Sequence, residues 1–400
     1  MNRPTYRLLA LLLLLASPAA AQLALPGVPL ASGPVGDAVG AVTRTVEPVL
    51  ADAGRSLAAL RATRLDRLVH ANPKLLELTR DGFPAKRGEV LLFAPDAIAL
   101  DGLRSLGFRM LGEEVIDGLD VTVTRMELPP GLRLRDAGAT IERVAPGIQW
   151  TPDHIYELAG RGSVPAAPLK ADAPITARVG VIDGAPGAGG GVAAVKGFAA
   201  GAPTPSNHGS AIVSLLHRAG VRTIAVADVY GTDPTGGNAL AIARGLGWLV
   251  AGGARVVTIS LVGPDNPLLA RAIAAAREKG VVVVAAVGND GPAAPPAYPA
   301  SYPGVVAVTA VDARNRALIE AGRALHLDYA APGADLTAPD ARGRAVKLRG
   351  TSFAAPLAAA RIAAAGSANW QAAVDKELVD LGKKGPDDVY GRGLLCGKCR

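Results

Sequence analysis

The chain has 400 residues, half of them hydrophobic and 19% charged, so it holds ample apolar material for a core and is neither wholly disordered nor collagen-like. Aromatics make up only 4% while glycine reaches 48 residues, which points to a core of close-packed small aliphatics, as in layered α/β proteins. The formal charge of +7 comes from scattered basic residues, and two cysteines are too few for a disulfide-stapled mini-fold; neither a nucleic-acid partner nor a stapled scaffold is implied.

Residues 1–21 read as a signal peptide. Arg3 and Arg7 precede the apolar run Leu8 to Ala16, and Ala19-Ala20-Ala21 supplies small residues for cleavage before Gln22. The run spans about half a bilayer, so no stable membrane anchor is expected after cleavage, and the mature chain is placed in the periplasm or outside the cell. Residues 22–80 form an Ala/Leu-rich spacer in which Leu57, Leu60, Leu65, Leu68 and Val69 recur at helical spacing.

Residues 81–158 read as a small α+β domain of β-α-β-β-α-β type. The strand Glu89 to Phe93, the helix Ala97 to Leu106, the alternating strand Asp120 to Thr124 and a last strand Ile148 to Tyr156 are its clearest parts. Glu157 to Thr176, rich in Ala, Pro and Gly, reads as an exposed linker, the domain boundaries falling at 158 and 177.

From 177 to 400 apolar runs alternate with helical patterns: Arg178 to Ile182, Ala211 to His217, Thr223 to Val229, Ala239 to Ala251, Val256 to Leu261, Leu268 to Lys279, Val281 to Val287 and Val305 to Val311. The fold class is therefore α/β, a mostly parallel sheet with helices on both faces. In such sheets chemistry collects at the carboxyl ends of the strands. There the first strand ends in Asp183, and His208 opens the helix at Asn207-His208-Gly209-Ser210. Another strand ends in Gly288-Asn289-Asp290, and Ser352 begins the helix of Gly350-Thr351-Ser352-Phe353-Ala354-Ala355-Pro356. Singly these are a solvated acid, a polar cap, a turn and an N-cap. Together they are orienting acid, base, oxyanion donor and nucleophile. The glycines after Asp183 fit no dinucleotide register, and no phosphate-binding G-x-x-x-x-G-K-[ST] occurs. Cys396 and Cys399 are spaced for a short local disulfide, since zinc would need two further ligands.

The motifs V-I-D at 181–183, H-G-S at 208–210, I-S-L-V-G at 259–263, A-V-G-N at 286–289 and G-T-S-F-A-A-P at 350–356 resemble, in order and approximate spacing, those of the subtilisin-like serine peptidases. The resemblance covers about residues 175–395 and implies a subtilisin-like fold with Asp183, His208 and Ser352 as triad. It implies Asn289 and the Ser352 N–H as oxyanion hole, and Ser260, Leu261, Val262 and Gly263 as the strand that pairs with substrate. It further implies protein or peptide substrates and an N-terminal propeptide, residues 81–158, as intramolecular inhibitor, with no metal or other cofactor required. The sequence departs from the family pattern at Gly184-Ala185 and Ala211, and at Val262, which is expected to narrow the S1 pocket and favour small or medium apolar side chains there. A pseudopeptidase that binds peptides through the same cleft is the competing class, and intact Asp, His, Asn and Ser weigh against it. The Ser-Glu-Asp acid peptidases are disfavoured by His208 at the base position.

Overall fold

A computed structural model describes residues 56–163, 173–188, 190–366 and 369–399. The expected signal segment and the first part of the helical spacer lie outside the described residues.

Residues 56–71 are helical (α1). After it come β1 (Leu76–Leu78), β2 (Pro84–Phe93), α2 (Ala97–Ser105), β3 (Arg109–Ile116), β4 (Val121–Glu127), α3 (Leu134–Val144) and β5 (Gln149–His154). They form an antiparallel sheet in which β2 lies between β4 and β5, β3 pairs with β4, and β1 pairs with the start of β2. The strands alternate as a half-buried sheet demands: Val90, Leu92 and Met126 pack under α2 and α3 with Leu103, Leu134 and Ile141, while Leu91, Phe93 and Val123 face the other way.

Two short strands follow, β6 (Glu157–Leu158) and β7 (Arg161–Ser163), and then the large unit begins at β8 (Ile175–Asp183). It continues through β9 (Ala194–Gly197), α4 (Asn207–Arg218), β10 (Val221–Asp228), α5 (Ala239–Ala251), β11 (Val256–Ile259), β12 (Leu261–Val262), α6 (Pro267–Glu278) and β13 (Val282–Ala286). Then come β14 (Val306–Val311), β15 (Tyr329–Pro332), β16 (Ala334–Pro339), β17 (Ala345–Arg349), α7 (Thr351–Ala365) and α8 (Trp370–Asp375). Seven strands make one parallel sheet in the order β15-β14-β13-β11-β8-β10-β9. The central strands are apolar on both faces because both faces are covered. Val284 and Ala286 pack with α4 and α7 on one side, Val283 and Ala285 with α5 and α6 on the other.

The N-terminal sheet docks on that second face, along α5 and α6 from their amino ends to Ala251 and Lys279. Leu91, Phe93, Val123 and Tyr156 join the core around α5 and α6. Asp153 Oδ1 accepts from the Leu240 N–H at 3.1 Å, and Asn266, which caps α6, donates from Nδ2 to Thr151 Oγ1 and Pro152 O, both at 3.0 Å. Arg244 pairs with Glu114 and Lys279 with Asp120 at the rim.

Two expectations need correction. Leu60 is 64% exposed; the covered face of α1 is 57, 58, 61, 64, 65, 68 and 69, which reaches across the helix through two arginines rather than through Leu60. The start of the supposed exposed linker is bedded in the large unit: Glu157 and Leu158 pair with β12, Ala159 is 2% exposed, and β7 pairs with β17. Cys396 and Cys399 are joined as a disulfide. Among the described residues no helix is long and apolar enough to cross a membrane.

Candidate active site

Asp183 ends β8 at the carboxyl edge of the sheet and is fully buried. Its Oδ2 lies 2.8 Å and its Oδ1 3.0 Å from His208 Nδ1, and Oδ1 also accepts the Gly184 N–H at 2.8 Å. His208 occupies the first turn of α4, whose N-cap, Ser206, accepts from the Gly209 N–H at 2.9 Å. The helix start and the turn after Asp183 touch. A Cβ on Gly184 would fall 2.5 Å from the Ser206 hydroxyl, and one on Gly209 would strike the Gly184 carbonyl. Glycine beside the acid, the first departure from the family pattern, is therefore what lets His208 close on Asp183. The carboxylate fixes the Nδ1–H tautomer and leaves Nε2, buried and without a hydrogen-bond partner, as a free acceptor toward the cleft.

Ser352 lies in the first turn of α7, which runs through Pro356. Proline lacks the N–H that would bond back to the Ser352 carbonyl. That carbonyl instead accepts from Ser260 Oγ at 2.9 Å, while Ser352 Oγ donates to the Ser260 carbonyl at 3.1 Å. The Ser352 side chain thus points along β11 and β12 rather than at His208 Nε2. Asn289 follows β13, and its Oδ1 accepts the Thr351 N–H at 3.0 Å, which turns Nδ2 into the cleft.

The cleft holds a segment of the chain itself. Leu158 lies opposite Leu261 and Glu157 opposite Val262 in an antiparallel pair, and the Ala159 N–H donates to Ser260 O at 3.1 Å. The Ala159 carbonyl accepts from the Ser352 N–H at 2.9 Å and from Asn289 Nδ2. Beyond Gly160, Arg161, Gly162 and Ser163 pair with Arg349, Leu348 and Lys347 of β17. A Cβ on Gly160 would fall 2.9 Å from the Phe353 ring and 3.0 Å from Ser352 Cβ, so the chain passes the serine only as glycine.

Asp183, His208, Ser352, Asn289, Ser260, Leu261 and Val262 are thus brought to one cleft. Gly263 lines a small cavity with Val262 and Gly288; its backbone exchanges hydrogen bonds with Tyr298, and it packs against the Tyr156 ring. Sequence reasoning missed Thr351, Ala159 and Gly160, whose roles are carried by backbone groups that leave no side-chain pattern.

The subtilase family model matches residues 192–380, a span that contains His208, Asn289 and Ser352 and begins after Asp183. Subtilisin Savinase of Lederbergia lenta is 32% identical over 194 residues, 46% of this chain and 72% of that protein. The chain belongs to the subtilase family. The minor extracellular protease Epr of Bacillus subtilis is 34% identical over 167 residues of this subtilase, 40% of its length but only 26% of Epr. Fervidolysin from Fervidobacterium pennivorans, described as a keratinolytic enzyme related to subtilisin, shares the fold with a TM-score of 0.65 at 19% identity. That likeness covers 82% of this subtilase and 63% of fervidolysin.

Proposed function

We propose that the chain is an exported serine endopeptidase made as a precursor, and that its first substrate is its own Ala159–Gly160 bond. One observation carries this reading: the Ala159 carbonyl already accepts from both the Ser352 N–H and Asn289 Nδ2, where an oxyanion would form. Backbone pairing on both sides, through β12 and β17, holds the bond across the serine.

In the proposed reaction Ser352 Oγ turns from Ser260 O to His208 Nε2, gives up its proton there and attacks the Ala159 carbonyl carbon. Asp183 stabilises the imidazolium, and the two N–H donors stabilise the tetrahedral oxyanion. Collapse breaks the Ala159–Gly160 bond, and His208 Nε2–H protonates the departing Gly160 amine. An ester between Ala159 and Ser352 remains. Water, deprotonated by His208, hydrolyses it to the Ala159 carboxylate and free Ser352. The residues 56–159 then stay as a docked inhibitor until they dissociate. Alanine as the residue before the cut agrees with a pocket that Val262 narrows against Gly288.

Mass spectrometry of three purified chains tests this. Wild type should give a fragment beginning at Gly160, whereas Ser352→Ala and His208→Ala should retain residues 22–159. Equal masses for all three in a protease-deficient host would overturn the self-processing peptidase, and a retained Met1 in Ser352→Ala would overturn export.

A further inference from the structure

Helix α1 lies across the cleft although neither the small sheet nor the seat of Ala159 is built from it. Leu57 packs against Gly291, Leu65 is buried, and the Arg61 guanidinium sits 4.7 Å over the Phe83 ring with Nε 3.2 Å from Asp290. Arg64 is the centre of the contact. Its Nε and one terminal nitrogen grip the Glu157 carboxylate side-on, both at 2.9 Å, and that same terminal nitrogen bonds Asp290 at 3.0 Å. The Glu157 hydrogen bond holds the guanidinium well above its ordinary range.

Glu157 lies two residues before Ala159, opposite Val262, and Asp290 directly follows the donor Asn289. Two carboxylates therefore share the Arg64 guanidinium, with Arg61 a second cation on Asp290, beside a small cavity lined by Val262, Gly288 and Ala297. An acidic residue fits this acidic subsite only because a third element brings the cation. That element lies on the amino side of Ala159, so it leaves with the released piece and exposes Asp290. A lysine side chain reaches about one bond further than glutamate and an arginine further still, toward the place that the Arg64 nitrogen holds between Glu157 and Asp290.

On the peptidase reading above, we infer that Asp290 selects substrates by charge at the position two residues before the one whose carbonyl is cut, favouring lysine or arginine, and that Arg64, with Arg61 beside it, masks Asp290 in the precursor. The self-processed chain is tested with three peptides that differ only there, carrying Lys, Ala or Glu. Expected kcat/KM falls in that order, with Lys about tenfold above Glu, the size of a partly exposed charge contact counted once as attraction and once as repulsion. The Lys-to-Glu ratio should shrink in ~1 M salt and approach one in Asp290→Asn. A second measurement uses the full chain: Arg64→Gln should slow self-cleavage about tenfold, and Glu157→Lys added to it should restore the rate. Loss of helix packing alone would not be rescued in that way. Equal hydrolysis of the three peptides, or failure of the rescue, would overturn the inference while leaving the peptidase intact. No hydrolysis of any peptide would overturn the peptidase reading and this inference with it.

Discussion

Ser260 and Ser352 each donate a hydroxyl hydrogen bond to the other's carbonyl, at 2.9 and 3.1 Å. The first of these bonds satisfies a carbonyl that Pro356 leaves without its helical partner. The second parks the candidate nucleophile while the Ser260 carbonyl also accepts from Ala159. One strand residue thus supports the helix start, rests the serine and aligns the segment in the cleft. Ser260→Ala leaves the buried Ser352 carbonyl without its side-chain donor, and we expect a loss of about 1–3 kcal/mol. Denaturant unfolding in a Ser352→Ala background, which prevents self-digestion and retains the residue 352 carbonyl, measures it. An unchanged midpoint would show that another group takes over the bond.

Much of this arrangement was legible in the sequence. The run Val281 to Val284 announces a strand covered on both faces, and polar residues just past apolar runs gave Asp183 and Asn289. The helical patterns Ala239 to Ala251 and Leu268 to Lys279 return as α5 and α6. The seat of Ala159 was not legible. Ala, Gly and Pro spell a linker, and strand addition through backbone N–H and C=O groups leaves no pattern of side chains. Nor was the tie between Ser260 and Pro356, which lie far apart in the chain and meet only through the helix's missing donor. The arginine face of α1 escaped because a search for apolar periodicity weights Leu60 and passes over Arg61 and Arg64, whose stems bury while their charges pair.

Gly160 makes a sharp test of where the chain is cut. Any side chain there meets the Phe353 ring and Ser352 itself, and neither can retreat, since both are almost fully buried at the start of α7. Forcing a branched side chain into such a site costs about 1–3 kcal/mol, so Gly160→Val should slow self-cleavage at this bond roughly ten- to a hundredfold. Gel densitometry of full-length against shortened chain over time reads the rate. Cleavage of Gly160→Val at the wild-type rate would mean that the close fit of Gly160 against Phe353 and Ser352 does not govern the cut, and a new amino terminus other than residue 160 would mean that the bond in the cleft is not the one cut.

The stability of the docked N-terminal sheet should depend on pH. Asp153 sits fully buried between β2 and α5, with Oδ1 on the Leu240 N–H and Oδ2 without a hydrogen bond, Lys86 Nζ being 3.9 Å away. Lys86 and Arg125 are in turn committed to Glu89, at 3.0 and 2.7 Å. Burial therefore dominates and pushes the Asp153 carboxyl up to about 7, Lys86 opposing it and Glu89 adding to it. Its neighbour His154, buried and accepting from Asn266 Nδ2, is pushed down to about 4. The signs follow from proton uptake. Between 3.8 and about 7 the folded chain holds the Asp153 proton more tightly than the unfolded one, so this residue's stabilisation is complete in acid and is lost as pH rises through 7. For His154 the folded chain sheds its proton first, so its contribution is present above 6.5 and is lost as pH falls toward 4. The two oppose each other in mild acid, and above 6.5 only the Asp153 cost still changes. Asp153→Asn keeps an acceptor for Leu240 and removes the buried charge. In full-length Ser352→Ala it should raise stability by on the order of 2 kcal/mol at pH 8, with the gain shrinking steadily toward pH 5. Thermal or urea unfolding across that range decides it: a gain that is absent at pH 8, or independent of pH, would mean that Asp153 is charged and compensated throughout.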